Sequence, residues 1–425
     1  MKRSLTLLAA LAFTGLAFAQ SAELSGEVTT MWGITAPWTE NGGDFSTGTT
    51  DFTSTVEAYA GNGTVHADYT LSYDAVTESY GFCLGEAYAD YSAAFWGIRI
   101  GQQKIVWGKA DGVYITDSVF PKDSTSLFTD DASLPVTAAR LSVTGSFFTA
   151  DALWIPFFKG TELPLEESNP LRSALIPTSV SISGVGTIPV NIGSLEAPEA
   201  EIKNSEYGLK LSGYFPVCDL SLYGFYGWDK TPLMNYSLHI SNPPVPDAVN
   251  VSGSYERLAM IGADAAFPIG ETVLRLEGAY FPNRKLQASS SSILSGGSTG
   301  IAQQEIMALA GIDWMPSGWT ITAQYYGDVI LDKSKDLEQE DSYTHGATLS
   351  VSRTLLQETL ELSVSGLMGF NDFDSAIEAS AAYSITDQLK LSGGAYVFLP
   401  GPENDGTYGA FKDLSTLYIK AAYCF

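Results

Sequence analysis

The chain has 425 residues, with 22 Lys and Arg against 48 Asp and Glu, and its formal net charge of −26 argues against a nucleic-acid partner because it repels phosphate backbones. Apolar residues make up 45%, too many for an acidic disordered chain, while the 16% of charged residues lies below the roughly 25% usual in soluble domains. With only three cysteines and three histidines, neither a disulfide scaffold nor a zinc or haem centre is signalled, so no cofactor and no metal is expected.

The chain opens with basic Lys2 and Arg3, an apolar run from Leu7 to Phe18, and Ala17-Phe18-Ala19, a small-x-small cleavage signal before Gln20. Residues 1–19 therefore read as a secretory signal peptide, too short for a span of about 20 residues. No cysteine follows to carry a lipid anchor, and residues 20–425 read as a single barrel. Cys83, Cys218 and Cys424 cannot all pair with one another and read as small, semi-buried apolar residues.

Beyond Gln20 no apolar stretch approaches 18 residues, and period-two alternation recurs instead. In 64–74, Val65, Ala67, Tyr69, Leu71 and Tyr73 alternate with polar residues, as a strand with one oily and one wet face requires. The same pattern places Leu360, Leu362, Val364 and Met368, and then Leu389, Leu391 and Val397, on oily faces. Extended along the chain, it predicts about eighteen strands (range 14–18), near 22–33, 51–60, 64–74, 84–96, 98–107, 137–147, 149–156, 204–214 and 219–228. The series continues near 251–266, 271–281, 302–313, 319–328, 342–353, 358–369, 374–385, 388–398 and 415–425. Short turns rich in Gly, Pro and Asp, as at Gly61-Asn62-Gly63 and Pro268-Ile269-Gly270, alternate with longer loops, the longest at 108–136 and 157–203.

Such strands predict an all-β, transmembrane antiparallel barrel with short periplasmic turns and long extracellular loops, closed because lipid cannot satisfy a sheet edge. Phe95, Trp96, Trp228, Tyr280, Phe281, Trp314, Trp319, Phe370, Phe398, Tyr423 and Phe425 fall near strand ends, where an aromatic girdle is expected. The stretch 171–190 could form a small external hairpin turning near Gly184-Val185-Gly186, or add two strands to the wall.

Two stretches carry a family resemblance. The closing segment Leu417 to Phe425, with Leu417, Ile419, Ala421 and Tyr423 alternating before a terminal Phe425, resembles the last strand of bacterial outer-membrane proteins. That resemblance implies recognition of Phe425 and Tyr423 by the barrel-assembly machinery, and a place in the cell outer membrane among its lipid. Arg99-Ile100-Gly101-Gln102-Gln103-Lys104-Ile105-Val106-Trp107-Gly108 resembles a segment of porin-like outer-membrane families of undefined substrate. In a strand, Arg99, Gly101, Gln103, Ile105 and Trp107 share the inner face, which leaves Lys104 for a rim or a bulge.

Alternation turns Glu57, His66, Asp68, Glu86, Asp90, Arg99, Lys210, Arg275, Glu277, Glu361, Lys390 and Lys420 toward a hydrated interior of both signs. Arg275 and Glu277, two apart on one face, read as a brace for the wall. Loop 108–136, bearing Lys109, Asp111, Asp117, Lys122, Asp123, Asp130 and Asp131, is expected to fold inward or cap the barrel, as an acidic constriction favouring cations or neutral polar solutes. Loop 157–203 adds Glu162, Glu166, Glu167, Glu196, Glu199 and Glu201.

No His-Glu-x-x-His, Cys-x-x-Cys or Gly-x-Ser-x-Gly pattern occurs, and no twelve-residue calcium loop, so no enzyme is expected. The reading is a channel for passive diffusion of small hydrophilic solutes, acting as a monomer. Its rivals are a transporter for apolar substrates and an adhesive or structural barrel that binds through its loops.

Overall fold

The computed structural model describes residues 20–126, 132–166, 169–175, 178–182, 186–241, 243–403 and 406–425. The leader at 1–19, Asp130 and Asp131, and the hairpin turn expected near Gly184 and Val185 lie outside them. The first strands are β1 (Ser21–Thr35), β2 (Phe45–Ala60), β3 (Gly63–Asp74), β4 (Ser79–Ser92), β5 (Trp96–Gln103), β6 (Val136–Thr144) and β7 (Phe148–Ile155). Next come β8 (Ser179–Ile182), β9 (Gly186–Glu196), β10 (Glu206–Tyr214), β11 (Asp219–Trp228), β12 (Leu233–His239), β13 (Ala248–Ser254), β14 (Arg257–Ile269) and β15 (Thr272–Gln287). The chain ends through β16 (Gly300–Trp314), β17 (Trp319–Leu331), β18 (Tyr343–Leu355), β19 (Leu360–Gly369), β20 (Ser375–Ser384), β21 (Leu389–Leu399) and β22 (Thr416–Cys424).

Eighteen of these form one closed antiparallel ring. Each wall strand pairs with the next along the chain, β7 passing directly to β10 and β11 to β14. The ring shuts where β22 lies against β1, from Glu27 opposite Cys424 to Thr35 opposite Thr416. At that seam Gly26 and Phe425 exchange backbone hydrogen bonds of 3.0 and 2.9 Å. A Cβ on Gly26 would stand 2.4 Å from the Phe425 ring, which stacks on Phe52 with centroids 6.0 Å apart. Only glycine lets the terminal ring lie down over the seam.

The period-two pattern sorts the side chains as a lipid-embedded ring demands. On β14, Met260 is 1% exposed and the neighbouring Ile261 is 64% exposed. Leu24, Ile100, Leu211, Leu222, Leu276, Leu349, Val364 and Ile419 share that outward exposure around the ring, an apolar belt that water would not tolerate and hydrocarbon does. The chain is an outer-membrane barrel. Phe95, Trp314, Trp319, Tyr423 and Phe425 stay exposed near strand ends, whereas Phe281 and Phe398, expected in the girdle, are buried on the inner face because they fall in register with Glu277 and Tyr396.

Three further expectations change. The strand expected over 98–107 leaves the wall after Gln103. At Gly101 φ is +139° and a Cβ would stand 2.3 Å from the Ala87 carbonyl, so the wall is already irregular there. The segment expected as a plain loop over 229–250 holds β12 and the start of β13, and the wall strand starts at Arg257 rather than 251. These two strands and the hairpin β8–β9 make a separate four-stranded sheet, joined by parallel pairing of β13 with β9. The described residues of the stretch 171–190 therefore add nothing to the ring. Cys83 and Cys424 are exposed, so semi-burial holds for Cys218 alone, and all three are free.

Placing a charge on the outer face tests the assignment of sides. Leu276→Arg is expected to lower unfolding stability in phospholipid vesicles by about 2–4 kcal/mol, measured by urea titration, while Ser365→Arg on the lumen face of β19 changes it by under about 1 kcal/mol. Equal losses for the two would reverse the assignment.

Candidate functional site

An eighteen-strand ring is too wide for wall side chains alone to fill. Here the chain after β5 turns inward and packs on one side of the lumen. Its Ile105, Trp107, Ile115, Val119 and Phe120 are buried against Ala138, Leu153, Tyr223, Phe225, Leu258, Met260, Ala279, Phe281 and Leu309 of the wall. Trp107 sits 5.0 Å from the Tyr223 ring and meets Phe120 edge-on at 5.0 Å. Each such buried side chain contributes about 1.5–3 kcal/mol toward holding the segment in place.

The segment lacks a sheet of its own, so its backbone needs partners from the wall. Glu277, 5% exposed on β15, supplies them. Its carboxylate accepts from the N–H of Lys109 (2.6 Å), Ala110 (3.0 Å) and Thr116 (2.8 Å) and from the Thr116 hydroxyl (2.7 Å). Gly108 makes the approach possible, since its φ is +81° and a Cβ there would stand 2.2 Å from the Glu277 carboxylate. Arg275 donates to the Lys109 carbonyl at 2.8 Å and to the Asp111 carboxylate at 2.6 Å, and also pairs with Asp313. Gln324 completes the clamp, accepting from Asp111 N–H at 3.0 Å and donating to its carbonyl at 2.6 Å. Arg275 and Glu277 thus brace the inserted segment as well as the wall.

Farther along, Lys122 pairs with Asp117 at 2.8 Å and lies 3.9 Å from the Tyr114 ring centre. Asp123 bridges to Glu162 of the following loop. What remains open beside the segment is a cavity of about 570 Å³. Asp111, Gln324, Thr348, Ser350, Ser365 and Glu378 line it, together with Tyr396, Phe398, Tyr408 and Phe411. Tyr396 stacks on Tyr418 at 5.2 Å, and the Tyr418 hydroxyl donates to Glu378 at 3.0 Å. The lining of this cavity is thus partly amide, hydroxyl and carboxylate and partly aromatic.

The remaining candidates fall into separate groups. Arg99 pairs with Asp90 at 2.9 Å and covers the Tyr88 ring at 3.9 Å. Glu57, Asp68 and Glu86 gather around His66 on β2 to β4. Lys210 lies 5.3 Å from the Tyr223 ring, and Lys390 meets Glu361 at 3.4 Å in an exposed pair. Lys104 follows the end of β5, and its N–H donates to Glu86 at 2.8 Å.

Sequence reasoning missed Asp264, Asp313 and Gln324, although alternation on 251–266, 302–313 and 319–328 turns all three inward. It also missed two ionic knots below the outer loops. Lys230 and Glu206, 1% and 0% exposed, pair at 2.6 Å. Arg284 meets Asp229 at 2.6 Å and Glu305 at 2.8 Å. Both knots join residues far apart in the chain, and no local spacing reveals them.

Removing the Glu277 carboxylate tests whether it holds the segment. Glu277→Ala leaves three N–H groups without their acceptor, at about 1–3 kcal/mol for the buried one of Thr116 and less for those of half-buried Lys109 and Ala110. Proteolysis within 104–126 is expected to become at least roughly tenfold faster while the barrel keeps its heat-modifiable gel mobility. Unchanged protection would show that apolar packing alone suffices.

Known structures share this architecture. The Acinetobacter baumannii protein OccAB1 matches with a TM-score of 0.54 at 9% identity, covering 96% of this chain and 97% of its own. Pseudomonas aeruginosa OccK8 (OprE) matches with a TM-score of 0.53 at 12% identity, over 96% of this chain and 99% of its own. Pseudomonas aeruginosa OpdK, solved with vanillate, gives 0.53 at 7% identity over the same shares. At such identities the likeness is one of fold. No curated protein sequence matches the chain. Residues 40–406 match the family described as Protein of unknown function (DUF1302), and the chain belongs to that family.

Proposed function

We propose that the protein is a passive channel for small hydrophilic solutes, which cross the outer membrane through the passage left beside the inserted segment. The observation that carries this reading is the anchoring of that segment by Glu277, Arg275 and Gln324, which narrows the ring without filling it. Within the passage, Asp111 and Glu378 stand among hydroxyl, amide and tyrosine groups. Carboxylates near a narrow, low-dielectric passage repel anions and favour cations, while the hydroxyl and amide groups replace part of the hydration shell of a neutral polar solute. The net charge of −26 acts in the same direction at longer range.

Reversal potentials across planar bilayers in a potassium chloride gradient test the preference. The intact protein is expected to favour potassium, and Asp111→Asn with Glu378→Gln to reduce that preference by about twofold or more. Replacing 109–126 by a short Gly-Ser linker is expected to raise single-channel conductance. Silence both in these recordings and in liposome swelling with neutral sugars would overturn the channel reading, and an anion preference would overturn the role of Asp111 and Glu378.

A further inference from the structure

On the opposite wall, β3 and β4 pair through a bulge, their register shifting between Ala67 and Tyr69. The extra residue is Gly85, where a Cβ would stand 1.8 Å from the Asp68 carboxylate. The bulge and the missing side chain let that carboxylate turn back to accept the Glu86 N–H at 2.8 Å. Asp68 and Glu86 thereby converge with His66, whose Nε2 lies 3.2 Å from Asp68 Oδ2, and one donor atom from each of the three falls within 4.8 Å of the others.

The imidazole is held from its far side. Its Nδ1 lies 3.0 Å from Glu57, which also accepts from the Tyr59 hydroxyl, and its ring stacks on Tyr88 at 4.9 Å and 13°. A neutral imidazole carries one N–H. If Glu57 takes that hydrogen, Nε2 presents a lone pair to Asp68, an arrangement that repels unless a positive centre lies between them. A divalent ion offsets two of the three carboxylate charges gathered here and gives Asp68 and Glu86 a common partner. An imidazole whose outer nitrogen donates to a carboxylate while the inner one faces oxygen donors is the usual support of a transition-metal ligand.

We propose that His66 Nε2, Asp68 and Glu86 bind a divalent first-row transition-metal ion of the zinc type on the lumen wall, with water completing its coordination. One nitrogen and two carboxylate donors suit zinc, cobalt or manganese better than calcium, which takes six to eight oxygen ligands. Because Glu86 also accepts the N–H of Lys104 at 2.8 Å, the bound ion fixes the residue at which the inserted segment leaves the wall. The site does not depend on what the lumen conducts. Linear motifs missed it because the ligands are spaced as His-x-Asp on one strand and a glutamate on the next.

Equilibrium dialysis of the full chain in detergent, stripped with chelator and returned to zinc, tests the proposal. About one tightly held ion per chain is expected. Affinity should fall roughly 10–100-fold in Glu57→Gln and at least as far in His66→Ala, and stay unchanged in His239→Ala, which removes an exposed imidazole beside Asp247. Zinc-edge X-ray absorption of the unmutated protein, which needs no variant to fold, should show one imidazole among oxygen donors. An all-oxygen shell, binding undiminished in His66→Ala, or no retained zinc would overturn the site.

Discussion

Hydrocarbon offers no hydrogen-bond partner, so each N–H and C=O at membrane depth must find one within the protein, and a sheet meets that demand only when it has no edge. Here the edge disappears where β22 docks on β1, and the residues at the seam are suited to it. Gly26 leaves room for the Phe425 ring, and the backbone exchange between the two extends the ladder to the last residue. Closure in turn sets the width of the interior. With eighteen strands the diameter exceeds what inward side chains can span, so the interior has to be hydrated or occupied by another part of the chain.

The chain occupies one side itself and leaves a cavity on the other. An inserted segment with only one short 3-10 turn, Thr116–Val119, brings unsatisfied backbone into the lumen, and two neighbours on β15 are suited to receive it. Glu277 accepts the N–H of Lys109 and Arg275 donates to the carbonyl of the same residue. An ionised carboxylate offers about four lone-pair sites, and Glu277 uses its two oxygens for four donors. An apolar side chain at that position could pack against Ile115 but would leave three amides, the buried one of Thr116 among them, without their acceptor. Buried charge on this wall is thus the counterpart of irregular backbone.

How much of this is legible in the sequence depends on the range of the interactions. The ring is written in local alternation, because side chains two residues apart share a face. Ile261 beside Met260, or Val364 between Ser363 and Ser365, carries that signal without help from elsewhere, and it marks all eighteen wall strands. Strand ends depend on what the chain meets next. β5 stops at Gln103 because Glu86 captures the N–H of Lys104, and nothing in 98–107 announces that partner. The sheet of β8, β9, β12 and β13 escapes a local reading for a similar reason, since Val249 pairs with Val190 across an intervening stretch of the wall. Alternation places Arg275 and Glu277 inward, while their partners at Lys109 to Thr116 lie more than 150 residues away.

The inserted segment is held at each part of its course. Its root is tied through Lys104 to Glu86, its turn through Gly108 to Thr116 on Glu277, and its exit through Asp123 to Ala132 and Glu162. A lid that opens would need one of these points to be weakly bound, with exposed hydrogen bonds and few apolar contacts. Instead Ile115, Val119 and Phe120 are each at most 2% exposed between the turn and the exit. Packing therefore fixes the position of the segment. Under the channel reading proposed above, discrimination among solutes would fall to the side chains that line the cavity beside the segment, Asp111, Tyr396 and Tyr408 among them, and not to movement of the segment itself.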